Sequence, residues 1–79
     1  MNSSIRERLE SIFRDIFGDD TICLTAETNA EDIEGWDSLK HISIMAAIQD
    51  EFSVSFDMDE IMKMNNVGEM ADAIEGKLG

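Results

Sequence analysis

Residues 35–52 run GWDSLKHISIMAAIQDEF. Asp37 precedes a run whose apolar residues Leu39, Ile42, Met45, Ile48 and Phe52 recur at steps of three and four, with Ile44 alongside. Such steps keep side chains on one face of an α-helix, and an aspartate just before the run can accept from its free backbone N–H groups. The stretch therefore predicts a helix from about Ser38 to Phe52, capped by Asp37. It also puts a serine hydroxyl at the first turn. Ser38 is either a helix-start residue and nothing more, or a point of attachment.

Outward from this helix the chain keeps the same character. Ser3 or Ser4 can cap a first helix, with Glu7 three residues beyond Ser4 as in a capping box. Ile5, Leu9, Ile12, Phe13, Ile16 and Phe17 form its apolar stripe, and Gly18 suits the left-handed position that ends a helix. Residues 19–37, DDTICLTAETNAEDIEGWD, show no sustained period and read as a long loop anchored by Ile22, Leu24, Ile33 and Trp36. A loop of this length in a small domain is usually tied down or functional. Val54 and Phe56 fit a short extended link. Asp57 can cap a brief third helix carrying Ile61 and Met64, ended by Asn65-Asn66. Val67, Met70, Ala71, Ile74 and Leu78 mark a last helix. None of these helices is stable alone at such lengths, so they need a shared core. The expected fold is all-α: one domain over residues 1–79, a four-helix bundle of three longer helices and a short third, with the long loop after the first.

Seventy-nine residues lie near the lower limit for a core that folds without staples. The single Cys23 cannot form an internal disulfide, so packing must supply the stability; a reducing, cytoplasmic setting fits. The longest apolar run is the five residues from Ile44 to Ile48, too short to cross a membrane. Eighteen acidic against six basic residues give a net charge of −12. That field repels nucleic acid and favours basic protein partners. It is also uneven. Residues 1–18 are neutral, whereas residues 19–37 carry Asp19, Asp20, Glu27, Glu31, Asp32, Glu34 and Asp37 with no base. Negative charge gathers on the approach to Ser38.

Catalytic arrangements are scarce. His41, the only histidine, stands three residues after Ser38, but a Ser/His pair on one helix is no nucleophile elbow, and GxSxG is absent. A surface or partner-facing role suits His41 better than that of a general base. No Cys/His cluster has zinc spacing, the acids do not follow the calcium-loop pattern, and no Gly-rich phosphate loop occurs. No metal site and no catalytic residue is expected, and the chain does not read as an enzyme.

Asp37-Ser38-Leu39, in this register and with this charge, resembles the hallmark of the acyl carrier protein family. The likeness takes in the first helix ending near Gly18, the acidic loop, Phe52 closing the second helix, and the acid-started third helix at Asp57-Met58-Asp59-Glu60-Ile61. The resemblance implies that a separate phosphopantetheinyl transferase moves 4'-phosphopantetheine from coenzyme A onto Ser38, with Asp37 as an element of its recognition. A phosphodiester there would sit at the positive end of a helix dipole, which agrees with the physics of the position. The cofactor's thiol would hold acyl groups as thioesters and carry them between enzymes of fatty acid, modified-lipid or polyketide synthesis. Partners, acyl-transferring or condensing enzymes with basic docking patches, would read Leu39, Ile42 and Ala46. Trp36 divides between packing the loop over the bundle and facing a partner. A monomer is expected.

One departure narrows the expectation. The common fatty-acid-synthesis pattern continues with acids after the serine, whereas here Lys40, His41, Ser43 and Gln49 follow, and residues 38–52 sum to only −1. A specialised carrier with different partners is implied. Aminoacyl or peptidyl cargo is the alternative, though the Gly-Gly of peptidyl carriers is missing before Ser38. An unmodified acidic interaction module is the alternative from another class.

Overall fold

The first helix is capped by Asn2 rather than by Ser3 or Ser4. In the computed structural model, which describes residues 2–78, α1 spans Ser3–Phe17 and the Asn2 side chain accepts the Ile5 N–H at 2.8 Å. Three successive residues here can all cap, and the helix takes the earliest. Gly18 ends α1 in the left-handed conformation at φ 62°, returning its N–H to the Arg14 carbonyl. Helix α2 spans Ser38–Phe52, α3 Met58–Lys63 and α4 Val67–Leu78. Among the described residues these four helices are the regular elements, so the all-α bundle with a long loop after α1 is the observed architecture.

The core is made by the stripes. Phe13 and Leu9 of α1, Ile44, Met45 and Ile48 of α2, and Val67, Met70 and Ile74 of α4 are fully enclosed, and Ile61 and Met64 close the α3 side. Three residues that continue their stripes lie exposed outside it. Leu39 is 78% exposed, Ile42 is 40% exposed and Leu78 is 55% exposed.

The long loop is held by polar groups that the apolar pattern does not show. Glu10 on α1 is buried, accepts the Leu24 N–H at 2.9 Å and lies 3.0 Å from Arg6. Arg14, one turn on, donates to the Ile22 carbonyl at 2.9 Å. Farther along, the Ala26 and Thr28 carbonyls accept from Gly68 N–H and Val67 N–H at 2.9 and 2.8 Å. These are first-turn donors of α4, which have no partner within their own helix. The loop thus serves as the cap of α4, assisted by Asn66, whose side chain accepts the Glu69 N–H at 2.8 Å. Ile22, Leu24 and Trp36 are buried as anchors, and Ile33 packs half-buried beside them. With both ends fixed to helices, the loop delivers Trp36 and Asp37 to the start of α2.

Candidate functional site

Two local devices set the entry to α2. Gly35, at φ 89°, turns the chain, and Trp36 N–H returns to the Ile33 carbonyl at 3.3 Å. This turn drives the indole inward while the next residue stays outside. Asp37 is extended, and its carboxylate accepts the Lys40 N–H at 2.9 Å; its carbonyl accepts the His41 N–H at 2.9 Å. Asp37 is therefore the N-cap, as the sequence predicts. Ser38 is the first helical residue and is exposed. Its hydroxyl meets solvent beside the positive end of a fifteen-residue helix.

Beside Ser38 lies a cleft of about 400 Å³, lined by Trp36, Asp37, His41, Ile42, Met62 and Met64 among others. Burial grades across it. Ser38, Ile42 and Met62 are exposed at the mouth, while Trp36 and Met64 are buried at the floor. The chemistry suits a hydroxyl-linked phosphopantetheine group: an accessible alcohol for the phosphodiester, a helix start for its charge, and an apolar recess alongside. Among the described residues no group of three or more His, Cys, Asp or Glu is placed to hold a metal ion.

The expected partner-facing residues separate. Leu39, Ile42 and Ala46 are exposed along α2. Trp36 is not: it is 8% exposed, edge-on to Phe13 at 5.2 Å between centroids and 6.5 Å from Phe17. A partner-facing Trp36 is thereby corrected in favour of the packing role, since the Gly35 turn sends the ring into the bundle. His41 is half-buried rather than free on the surface, between Trp36 and the Ile61 carbonyl. Met58 and Met62, both 59% exposed on α3, add apolar surface that the sequence pattern alone does not place. Their spacing of four within a short helix is the signal that shows they share a face.

Comparison with known proteins gives the family. The sequence model of the family described as "Phosphopantetheine attachment site" matches residues 7–74. An acyl carrier protein from Thermotoga maritima is 32% identical over 75 residues, covering 95% of this chain and 93% of that one. The solution structure of a holo acyl carrier protein from Geobacter metallireducens superposes with a TM-score of 0.86 at 40% identity, covering 94% of this chain and 85% of that chain. Fold and family match thus define a phosphopantetheine-dependent carrier. The chain belongs to the acyl carrier protein family, whose prosthetic group is covalently attached phosphopantetheine.

Proposed function

We propose that Ser38 is the residue to which phosphopantetheine is attached, and that this chain is a specialised carrier of acyl groups in fatty acid, modified-lipid or polyketide synthesis. The observation that carries the proposal is the position of Ser38: exposed, first in α2, and at the mouth of an apolar cleft. Bound phosphopantetheine would supply the thiol that holds cargo as a thioester. The protein's own residues do the rest. Asp37 fixes the start of α2, so the Ser38 side chain stands at a defined place outside the bundle. A separate phosphopantetheinyl transferase supplies the catalytic groups for attachment from coenzyme A, and no base is required next to Ser38.

Docking of partner enzymes centres on α2. Leu39, Ile42 and Ala46 present a shallow apolar strip after the serine, and acids of the preceding loop steer basic patches toward it. Because the first three turns of α2 carry no acid, partners that need an acidic helix face are disfavoured. That is the basis for a specialised rather than a general carrier. Among the described residues no helix is long and apolar enough to cross a membrane, and a monomer working in the cytoplasm is the setting proposed.

Intact mass tests the assignment. Incubation with coenzyme A and a broad-specificity transferase adds one phosphopantetheine to the wild-type chain and none to Ser38→Ala. Equal addition to both would move the site elsewhere.

A further inference from the structure

Lys40, His41, Ser43 and Gln49 stand in α2 where an acidic helix would carry carboxylates. Two of them, His41 and Gln49, are half-buried and bond the segment that carries α3. Gln49 Nε2 donates to the Met45 carbonyl at 3.2 Å, which steadies the amide so that its oxygen accepts the Phe56 N–H at 2.8 Å. Phe56 immediately precedes Asp57, the N-cap of α3. At the other end of α3, His41 Nε2 lies 2.8 Å from the carbonyl oxygen of Ile61. The indole Nε1–H of Trp36 donates to His41 Nδ1 at 3.4 Å, so the imidazole proton belongs on Nε2, where it bonds that carbonyl.

The order of these bonds fixes a direction. Gln49, late in α2, holds the entry to α3, and His41, about 12 Å earlier along the helix, holds its end. Helix α3 therefore runs back along α2 toward Ser38, and its last turn carries Met62 to the cleft on which Ser38 opens. Six residues do not keep a helix in place by their own backbone bonds. The capping box at Asp57 and the burial of Ile61 keep α3 folded, while the two α2 side chains set where it stands. Met62 and Ile42 are both exposed and both line the cleft. An enzyme that reaches the Ser38 oxygen has to cover the mouth of that cleft, so it meets α3 as well as α2. We infer that His41 and Gln49 are positioning residues: they hold α3 against α2 so that Ile42 and Met62 form one apolar rim beside Ser38, and the phosphopantetheinyl transferase reads that rim. The inference rests on the attachment proposed for Ser38. Both residues act through the place of α3, not on the reacting atoms.

The first measurement uses the unmodified protein. The Phe56 N–H should exchange roughly five- to ten-fold faster in Gln49→Leu, and the Trp36 indole N–H by a similar factor in His41→Leu, as expected for one ordinary hydrogen bond. Unchanged exchange in either variant overturns the inference. The second measurement follows phosphopantetheine addition from coenzyme A by a broad-specificity transferase, read by intact mass. His41→Leu and Gln49→Leu should each raise the KM for the carrier roughly three- to ten-fold, with kcat held within about two-fold. His41→Gln, whose amide can both accept and donate, should recover most of that loss. Met62→Ala should raise KM by itself but add little in the His41→Leu background, where the rim is already displaced. A fall in kcat at unchanged KM, or a double variant whose losses simply multiply, overturns the inference. Should His41→Leu fail to fold, Gln49→Leu combined with Met62→Ala decides in the same way. A wild-type chain that takes no phosphopantetheine sinks the Ser38 reading and this inference with it, whereas a loaded wild type with insensitive variants sinks the positioning role alone.

Discussion

Glu10 and Leu24 are joined by a hydrogen bond from the Leu24 backbone N–H to the buried Glu10 carboxylate, at 2.9 Å across fourteen residues of chain. This is what fixes the near half of the loop to α1. Glu10→Ala strands the Leu24 donor and should cost about 1–3 kcal/mol in urea unfolding. Glu10→Gln keeps an acceptor and loses only charge with Arg6 and Arg14, so its loss should be smaller. Equal losses would mean that the ion pairs, not the loop bond, matter.

Gly68 and Gly76 predict opposite signs for the same substitution. A Cβ on Gly68 would stand 2.8 Å from the Ala26 carbonyl oxygen, a backbone atom that already accepts the Gly68 N–H. Gly68→Ala should destabilise by roughly 1–3 kcal/mol despite its better helix propensity. Gly76 has nothing within 4 Å, and Gly76→Ala should add up to about 1 kcal/mol. Thermal melts of the two variants check the contrast.

Ser53 ends α2 at φ 56°, a left-handed conformation that costs a residue with a Cβ. Ser53→Gly should gain a few tenths to about 1 kcal/mol. A loss in the denaturation midpoint would show that the serine contributes something its backbone does not reveal.

The carboxylate of Asp19 accepts from the Thr21 hydroxyl at 2.6 Å and the Thr21 N–H at 2.9 Å, and these bonds hold its pKa below the ordinary value. A depressed carboxylate stabilises the fold above its unfolded pKa, and that contribution is lost as pH falls through the folded value. Thr21→Val removes the hydroxyl donor alone, so Asp19 should titrate closer to an ordinary aspartate by nuclear magnetic resonance. An unchanged titration would contradict the assignment to Thr21.

These residues also mark what can be read from the chain itself. Caps at Asp37, Asp57 and Gly18 are local chemistry, and the periodic stripes name Leu9, Phe13, Ile48 and Ile74 correctly as core. Periodicity says which residues share a face, not how far a neighbour covers it, and so Leu39 and Leu78 fit their stripes yet lie exposed. Glu10, Gly68 and His41 draw their roles from partners fourteen to forty-two residues away along the chain, at Leu24, Ala26 and Ile61. Nothing in a local pattern names those partners. The first-turn position of Ser38 is legible as geometry, whereas its chemistry comes from the family resemblance.

The central claim concerns a single oxygen atom, the hydroxyl of Ser38. Trypsin cuts after Arg14 and Lys40, releasing residues 15–40 as one peptide that also holds Thr21, Thr25 and Thr28. Fragmentation mass spectrometry of that peptide from transferase-treated protein should place the whole phosphopantetheine adduct on Ser38. An adduct on one of the threonines, or a peptide that stays unmodified while the transferase loads a control carrier in the same tube, would contradict the account.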